Sequence, residues 1–77
     1  MEKTLTEFLS SVASVLEVPS IGLEDEFRSV PDWCSLKAFG LLVMMENDFA
    51  VPLTVADLAE LRTVGDLAQY LLSLRKL

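Results

Sequence analysis

The sequence predicts an all-α fold, a small bundle of four helices with a long loop between the first and second. Three observations carry that expectation. Apolar residues return at steps of three and four in four separate stretches. A threonine followed three residues on by an acid opens three of these stretches. Pro19, Pro31 and Pro52 all fall between them, where proline leaves helices unbroken. No run alternates polar and apolar residues between turn residues, as a half-buried strand would require.

Leu5, Phe8, Leu9, Val12, Val15 and Leu16 make the first apolar stripe, framed by Thr4 and Glu7. In such a capping box the threonine oxygen accepts from the N–H three residues on, and the acid reaches back to the threonine N–H. Residues 17–34 follow as a connection long enough to suggest function or motion. Leu23, Phe27 and Val30 recur at helical steps in it, and Ile21 and Trp33 add apolar anchors, so it is expected to pack on the bundle and to hold a turn of helix. The run Glu24, Asp25 and Glu26 is read as a solvated loop face in preference to a recognition patch, and it lacks the ligand spacing of a calcium loop.

The second helix, from about Ser35 to Phe49, is the densest, with Leu36, Phe39, Leu41, Leu42, Val43, Met44 and Met45 making it apolar on more than one face. Thr54 with Asp57 opens a short third helix carrying Leu58 and Leu61. Thr63 with Asp66 opens the fourth, on Val64, Leu67, Ala68, Leu71, Leu72 and Leu74, with Arg75 and Lys76 at the negative end of its dipole.

The chain of 77 residues has room for a single domain, residues 1–77, and 52% hydrophobic content gives that domain a core. With no His and one Cys, Ser-His-Asp and Cys-His nucleophile pairs, the usual zinc ligand sets and an internal disulfide are all excluded. The expectation is that the chain is not an enzyme. Twelve acidic against six basic residues give a net charge of −6, which repels phosphate backbones and makes nucleic acid an unsuitable partner. No charge-free run approaches the roughly 20 apolar residues of a membrane span, and no signal-peptide pattern opens the chain, so it is read as cytoplasmic; a monomer is expected. Its start at Met1 favours a free-standing protein over an excised domain.

One helix start differs from the other three. Ser35 is followed at the capping-box spacing by Ala38 and not by an acid. The head of the most hydrophobic helix therefore offers a hydroxyl and unpaired N–H groups to an anion, an arrangement that favours a phosphate by about 0.3–1 kcal/mol for the charge alone at an exposed site. The plainer readings are that Ser35 is itself an N-cap, or that Asp32 caps and Ser35 lies in the first turn.

Asp32-Trp33-Cys34-Ser35-Leu36, then Glu46-Asn47-Asp48-Phe49, then Thr63-Val64-Gly65-Asp66-Leu67 together resemble an acyl carrier protein, and the match runs through essentially the whole chain. The resemblance implies that Ser35 bears a covalent 4′-phosphopantetheine whose thiol holds an acyl or aminoacyl thioester. It implies a phosphopantetheinyl transferase and acyl-loading and acyl-transferring enzymes as partners. Leu36, Lys37, Gly40, Glu46 and Asp57 become candidates for partner recognition, and Leu42, Val43, Met45, Leu58 and Leu61 either plain core or the lining of an acyl shelter. An unmodified helical interaction module of the same fold is the alternative.

Two departures from the family pattern stand out. Cys34 occupies the position where the family usually has Asp, and is read either as a small, half-buried substitute or as a reactive thiol able to pair with that of the arm. The first half of the second helix carries Lys37 and Gly40 where fatty-acid carriers show a row of acids, which suggests a largely neutral docking face and a dedicated pathway. Gly40 inside a helix costs roughly 1 kcal/mol relative to Ala, so close helix packing or close approach by a partner must offset it; packing is preferred.

Overall fold

The computed structural model describes residues 4–77; Met1, on which the expectation of a free-standing protein rests, lies outside them. Four α-helices are present among the described residues: α1 (Leu5–Leu16), α2 (Ser35–Phe49), α3 (Val55–Ala59) and α4 (Val64–Ser73). The long loop between α1 and α2 holds a single 3-10 turn, Phe27–Ser29. None of the described helices is long and apolar enough to cross a membrane.

All three sequence-predicted capping boxes form. Thr4, Thr54 and Thr63 each accept the N–H three residues on, and Glu7, Asp57 and Asp66 each return a carboxylate oxygen to the cap N–H. Helix ends are as local as their starts. α1 stops where Glu17 turns left-handed (φ 59°), so that the N–H groups of Glu17 and Val18 bond to the Ser14 and Ala13 carbonyls at 3.2 and 3.0 Å. α4 ends in the same way through Arg75 (φ 59°), whose N–H and that of Lys76 reach the Leu72 and Leu71 carbonyls. Arg75 and Lys76 thus lie just past the C-terminal end of α4, where its backbone has already reversed.

The core is built from the buried stripes. Phe8, Val12 and Leu16 of α1 meet Leu41, Met45 and Phe49 of α2 and Leu67 and Leu71 of α4. Phe8 and Phe49 pack edge to face with centroids 5.7 Å apart, a geometry that adds about 0.5–1.5 kcal/mol to the area buried. Gly40 lets α1 and α2 approach: a Cβ there would stand 3.0 Å from Val15 Cγ1. The expected helix packing is the one found.

The long loop is stitched to the bundle. Phe27 is fully buried in the core, with Trp33 against it at 5.9 Å between ring centroids. The loop also closes the head of α4, where Val64 and Gly65 donate their N–H groups to the Asp25 and Leu23 carbonyls at 2.9 and 2.8 Å. Gly65 is needed at that seam, since a Cβ would stand 2.9 Å from the Leu23 carbonyl oxygen. The acidic run is exposed, as expected of a solvated face. Two of its members also serve the fold: Asp25 accepts from the Gly22 N–H at 2.7 Å and Glu26 pairs with Arg62 at 3.1 Å.

Candidate functional site

The head of α2 is open. Cys34, with extended backbone (φ −156°, ψ 172°), is the N-cap, and its side chain makes no capping hydrogen bond. Ser35 is therefore the first helical residue and not the cap, and Asp32, which sits in a left-handed turn (φ 60°), does not cap either. The reason lies in the backbone: Cys34 is the residue whose carbonyl accepts the first helical bond, from Ala38 N–H at 3.1 Å. No acceptor among the described residues meets the N–H groups of Ser35, Leu36 and Lys37, and no acid lies in the first turn. The other three helix heads each hold a carboxylate. The positive end of the α2 dipole is thus left uncompensated beside an exposed hydroxyl.

An apolar groove of about 450 Å³ starts at that hydroxyl and runs between α2 and α3, lined by Ser35, Leu36, Ala38, Phe39, Leu42, Val55 and Leu58. Its rim is exposed apolar surface: Leu36 at 76%, Phe39 at 62% and Val55 at 71%. The volume lies within the usual range for small-molecule sites. A second depression of about 370 Å³ follows α1 and the start of the long loop, away from Ser35, and is lined partly by Ser10, Ser14 and Ser20.

The predicted recognition residues do not form one surface with Ser35. Leu36 lies beside it on the groove rim. Lys37 folds back along the loop, donating to the Pro31 carbonyl at 3.1 Å and facing Glu17 at 3.7 Å, with only 10% of its side chain exposed. Gly40 faces α1. Glu46 is exposed near the far end of α2, and Asp57 is engaged in the α3 capping box at 3.1 Å from the Thr54 N–H. Of the proposed acyl lining, Leu42 and Leu58 face the groove, whereas Met45 is core and Val43 lies on the side toward α1 with Ser11, Val15 and Gly40. Helical rotation turns Val43, one residue on and about 100° round, off the face of Leu42, whereas Met45, three residues on, stays within about 60° of Leu42 and lies on the inner side of it, in the core.

Cys34 is exposed, which corrects the half-buried expectation. Asp66 has its carboxyl held below the usual range by the backbone N–H groups of Thr63 and Arg62, with smaller help from the Thr63 hydroxyl and the Arg62 charge.

The model of one protein family, the phosphopantetheine attachment site, matches residues 34–71, from the α2 N-cap to Leu71 of α4. Residues 34–71 are thus a phosphopantetheine attachment domain of the carrier protein family. No curated protein and no solved structure matches it. Carrier domains of this family are not catalysts, and they hold 4′-phosphopantetheine covalently. A phosphopantetheinyl transferase and acyl-handling enzymes are therefore the general class of partner for this carrier. The four helices and the long first loop are those of an acyl-carrier-type fold.

Sequence reasoning missed two features of the site. Phe39 and Val55 were not singled out as its rim, although a helix apolar on more than one face implies an apolar surface left uncovered. Arg28 was not singled out at all. It donates to the Leu61 and Leu58 carbonyls at 2.7 and 2.6 Å, 33 and 30 residues away in sequence, and no local pattern announces so distant a partner.

Proposed function

We propose that residues 1–77 act as one carrier domain in which the Ser35 hydroxyl is the attachment point for phosphopantetheine. The observation that carries this reading is the combination at the head of α2: an exposed hydroxyl beside three N–H groups that meet no acceptor among the described residues. A phosphodiester at that oxygen gains donors and a favourable dipole. The residues present fit the group. Leu36 flanks the attachment point, and the groove walls Phe39, Leu42, Val55 and Leu58 offer an apolar path leading from it.

When bound, the arm supplies a thiol that holds cargo as a thioester. The chain itself does the rest by tethering and presentation. Ser35 fixes the root of the arm on a rigid helix, which keeps the cargo at high effective concentration for any enzyme docked nearby. The groove shields apolar cargo from water. Leu36, Phe39 and Val55 form an uncharged landing surface beside the arm. Such a surface suits a dedicated partner and supports assignment to a specialised biosynthetic pathway, with an acyl or aminoacyl group as cargo.

Incubation with coenzyme A, magnesium and a broad-specificity transferase tests the assignment. Intact mass should rise by one phosphopantetheinyl group, and peptide mapping should place it on Ser35. Absence of any adduct with several transferases, or an adduct elsewhere, would overturn the assignment and leave an unmodified interaction module as the better account.

A further inference from the structure

The shortest helix has the least support of its own. Five residues make little more than one turn, far below the length at which a helix is stable in isolation. Leu58 anchors α3 in the core by its side chain, which also forms part of the groove wall. The backbone at the C-terminal end of α3 is held from the long loop: Arg28 Nη2 donates to the Leu58 carbonyl at 2.6 Å and Nη1 to the Leu61 carbonyl at 2.7 Å. The guanidinium is itself braced, 4.6 Å from the centroid of the buried Phe27 ring. A rigid planar fork is pre-organised for two carbonyls in a way that a lysine ammonium on its flexible stem is not. The ion pair between the loop and this region, Glu26 with Arg62, is largely exposed on the Arg62 side and should hold little.

We infer that Arg28 is a positioning residue: by clamping the C-terminal carbonyls of α3 it fixes that helix as the outer wall of the groove beside Ser35, and so sets which apolar cargo the groove admits. The same residue, Leu58, gives its carbonyl to the clamp and its side chain to the groove, so releasing one moves the other. The inference rests on the groove receiving cargo from the arm, but its first part concerns the unloaded protein and stands or falls independently of modification at Ser35.

Amide hydrogen exchange on the unloaded protein tests the clamp. In Arg28→Ala the amides of Leu58, Glu60 and Leu61 should exchange about tenfold faster or more, the weight of one charge-assisted hydrogen bond, while Phe8 and Val12 of α1 change far less. Arg28→Lys, which keeps the charge but not the planar fork, should fall between, and serves if the alanine variant does not fold. Arg62→Gln should leave α3 unchanged. The second readout is binding of decanoyl and butanoyl N-acetylcysteamine thioesters, followed at the Leu42 and Leu58 methyl groups. Releasing the clamp should change the ratio of the two affinities by about threefold or more, as expected when a pocket wall moves by a methylene or so. A uniform rise in exchange across all four helices would reduce Arg28 to a general stabiliser and overturn the inference. Faster α3 exchange with an unchanged ratio would overturn its cargo half alone.

Discussion

At the scale of single residues, the neighbours Cys34 and Ser35 divide two roles that a sequence reading tends to merge. Ser35 lies in the first turn, and no hydrogen bond among the described residues engages its hydroxyl. Ser35→Ala should therefore abolish loading while leaving stability within about 0.5 kcal/mol of the parent, which makes it a cleaner control than a serine cap would be. Thermal melts of the two proteins check this; a fall of several degrees would mean the hydroxyl is structural. Cys34 holds the cap position without an oxygen to fill it. Cys34→Asp should stabilise α2 by about 1 kcal/mol, or about 4–8 °C in melting temperature for a domain of this size, and restores the residue usual in the family. If the cysteine hinders the transferase, loading should accelerate in the same variant. A variant that melts higher but loads no faster would assign Cys34 no part in transferase recognition.

At the scale of elements, what was legible in the sequence was what is local. Capping boxes span four residues, so Thr4, Thr54 and Thr63 announced three helix starts, and the missing acid after Ser35 announced the open one. The precise cap was less legible, because Cys34, Ser35 and Asp32 are chemically ambiguous and only the backbone chooses among them. Gly40 announced a close approach without naming its partner, Val15. Gly40→Ala should gain about 1 kcal/mol of helix propensity yet lose more, about 1–3 kcal/mol, by pressing a stiff β-branched side chain. In a Val15→Ala background the same change should turn stabilising, a reversal that a double-mutant cycle in urea detects. The α4 capping box adds a pH signature. Since the Asp66 carboxyl is held low in the folded state, its contribution is present above the ordinary carboxylate value and is lost as pH falls through the lowered one. Asp66→Asn keeps an acceptor for the Thr63 and Arg62 N–H groups but cannot titrate. Its stability should fall less steeply than that of the parent from about pH 5 to about pH 2, and parallel acid limbs would contradict the assignment.

At the scale of the whole molecule, the placement of charge decides how the carrier meets its partners. The net charge of −6 suggests an acidic docking surface, but much of that acidity is committed to the fold. Glu7, Asp57 and Asp66 close capping boxes, Asp25 accepts from Gly22, and Glu17 and Glu26 face Lys37 and Arg62. Along α2 from Ser35 to Met45 the one charged residue is Lys37, and its ammonium is turned back to the loop. What surrounds Ser35 is therefore Leu36, Phe39 and Val55, a surface that gains by excluding water and offers a basic enzyme little to steer by. Encounter should depend on contact more than on field. Raising ionic strength from about 0.01 M to 0.15 M shortens the screening length from about 30 Å to 8 Å, which would slow an electrostatically steered encounter by tenfold or more. For this carrier the loading efficiency, kcat/KM for the transferase acting on Ser35, should change by less than about threefold over that range. Leu36→Ala or Phe39→Ala should instead lower it by about tenfold, the weight of a truncated apolar anchor of 1–2 kcal/mol. A steep salt dependence together with tolerance of both truncations would place docking on the acidic residues Glu46 and Asp48 farther along α2, and would reverse the account of partner choice given by the apolar rim.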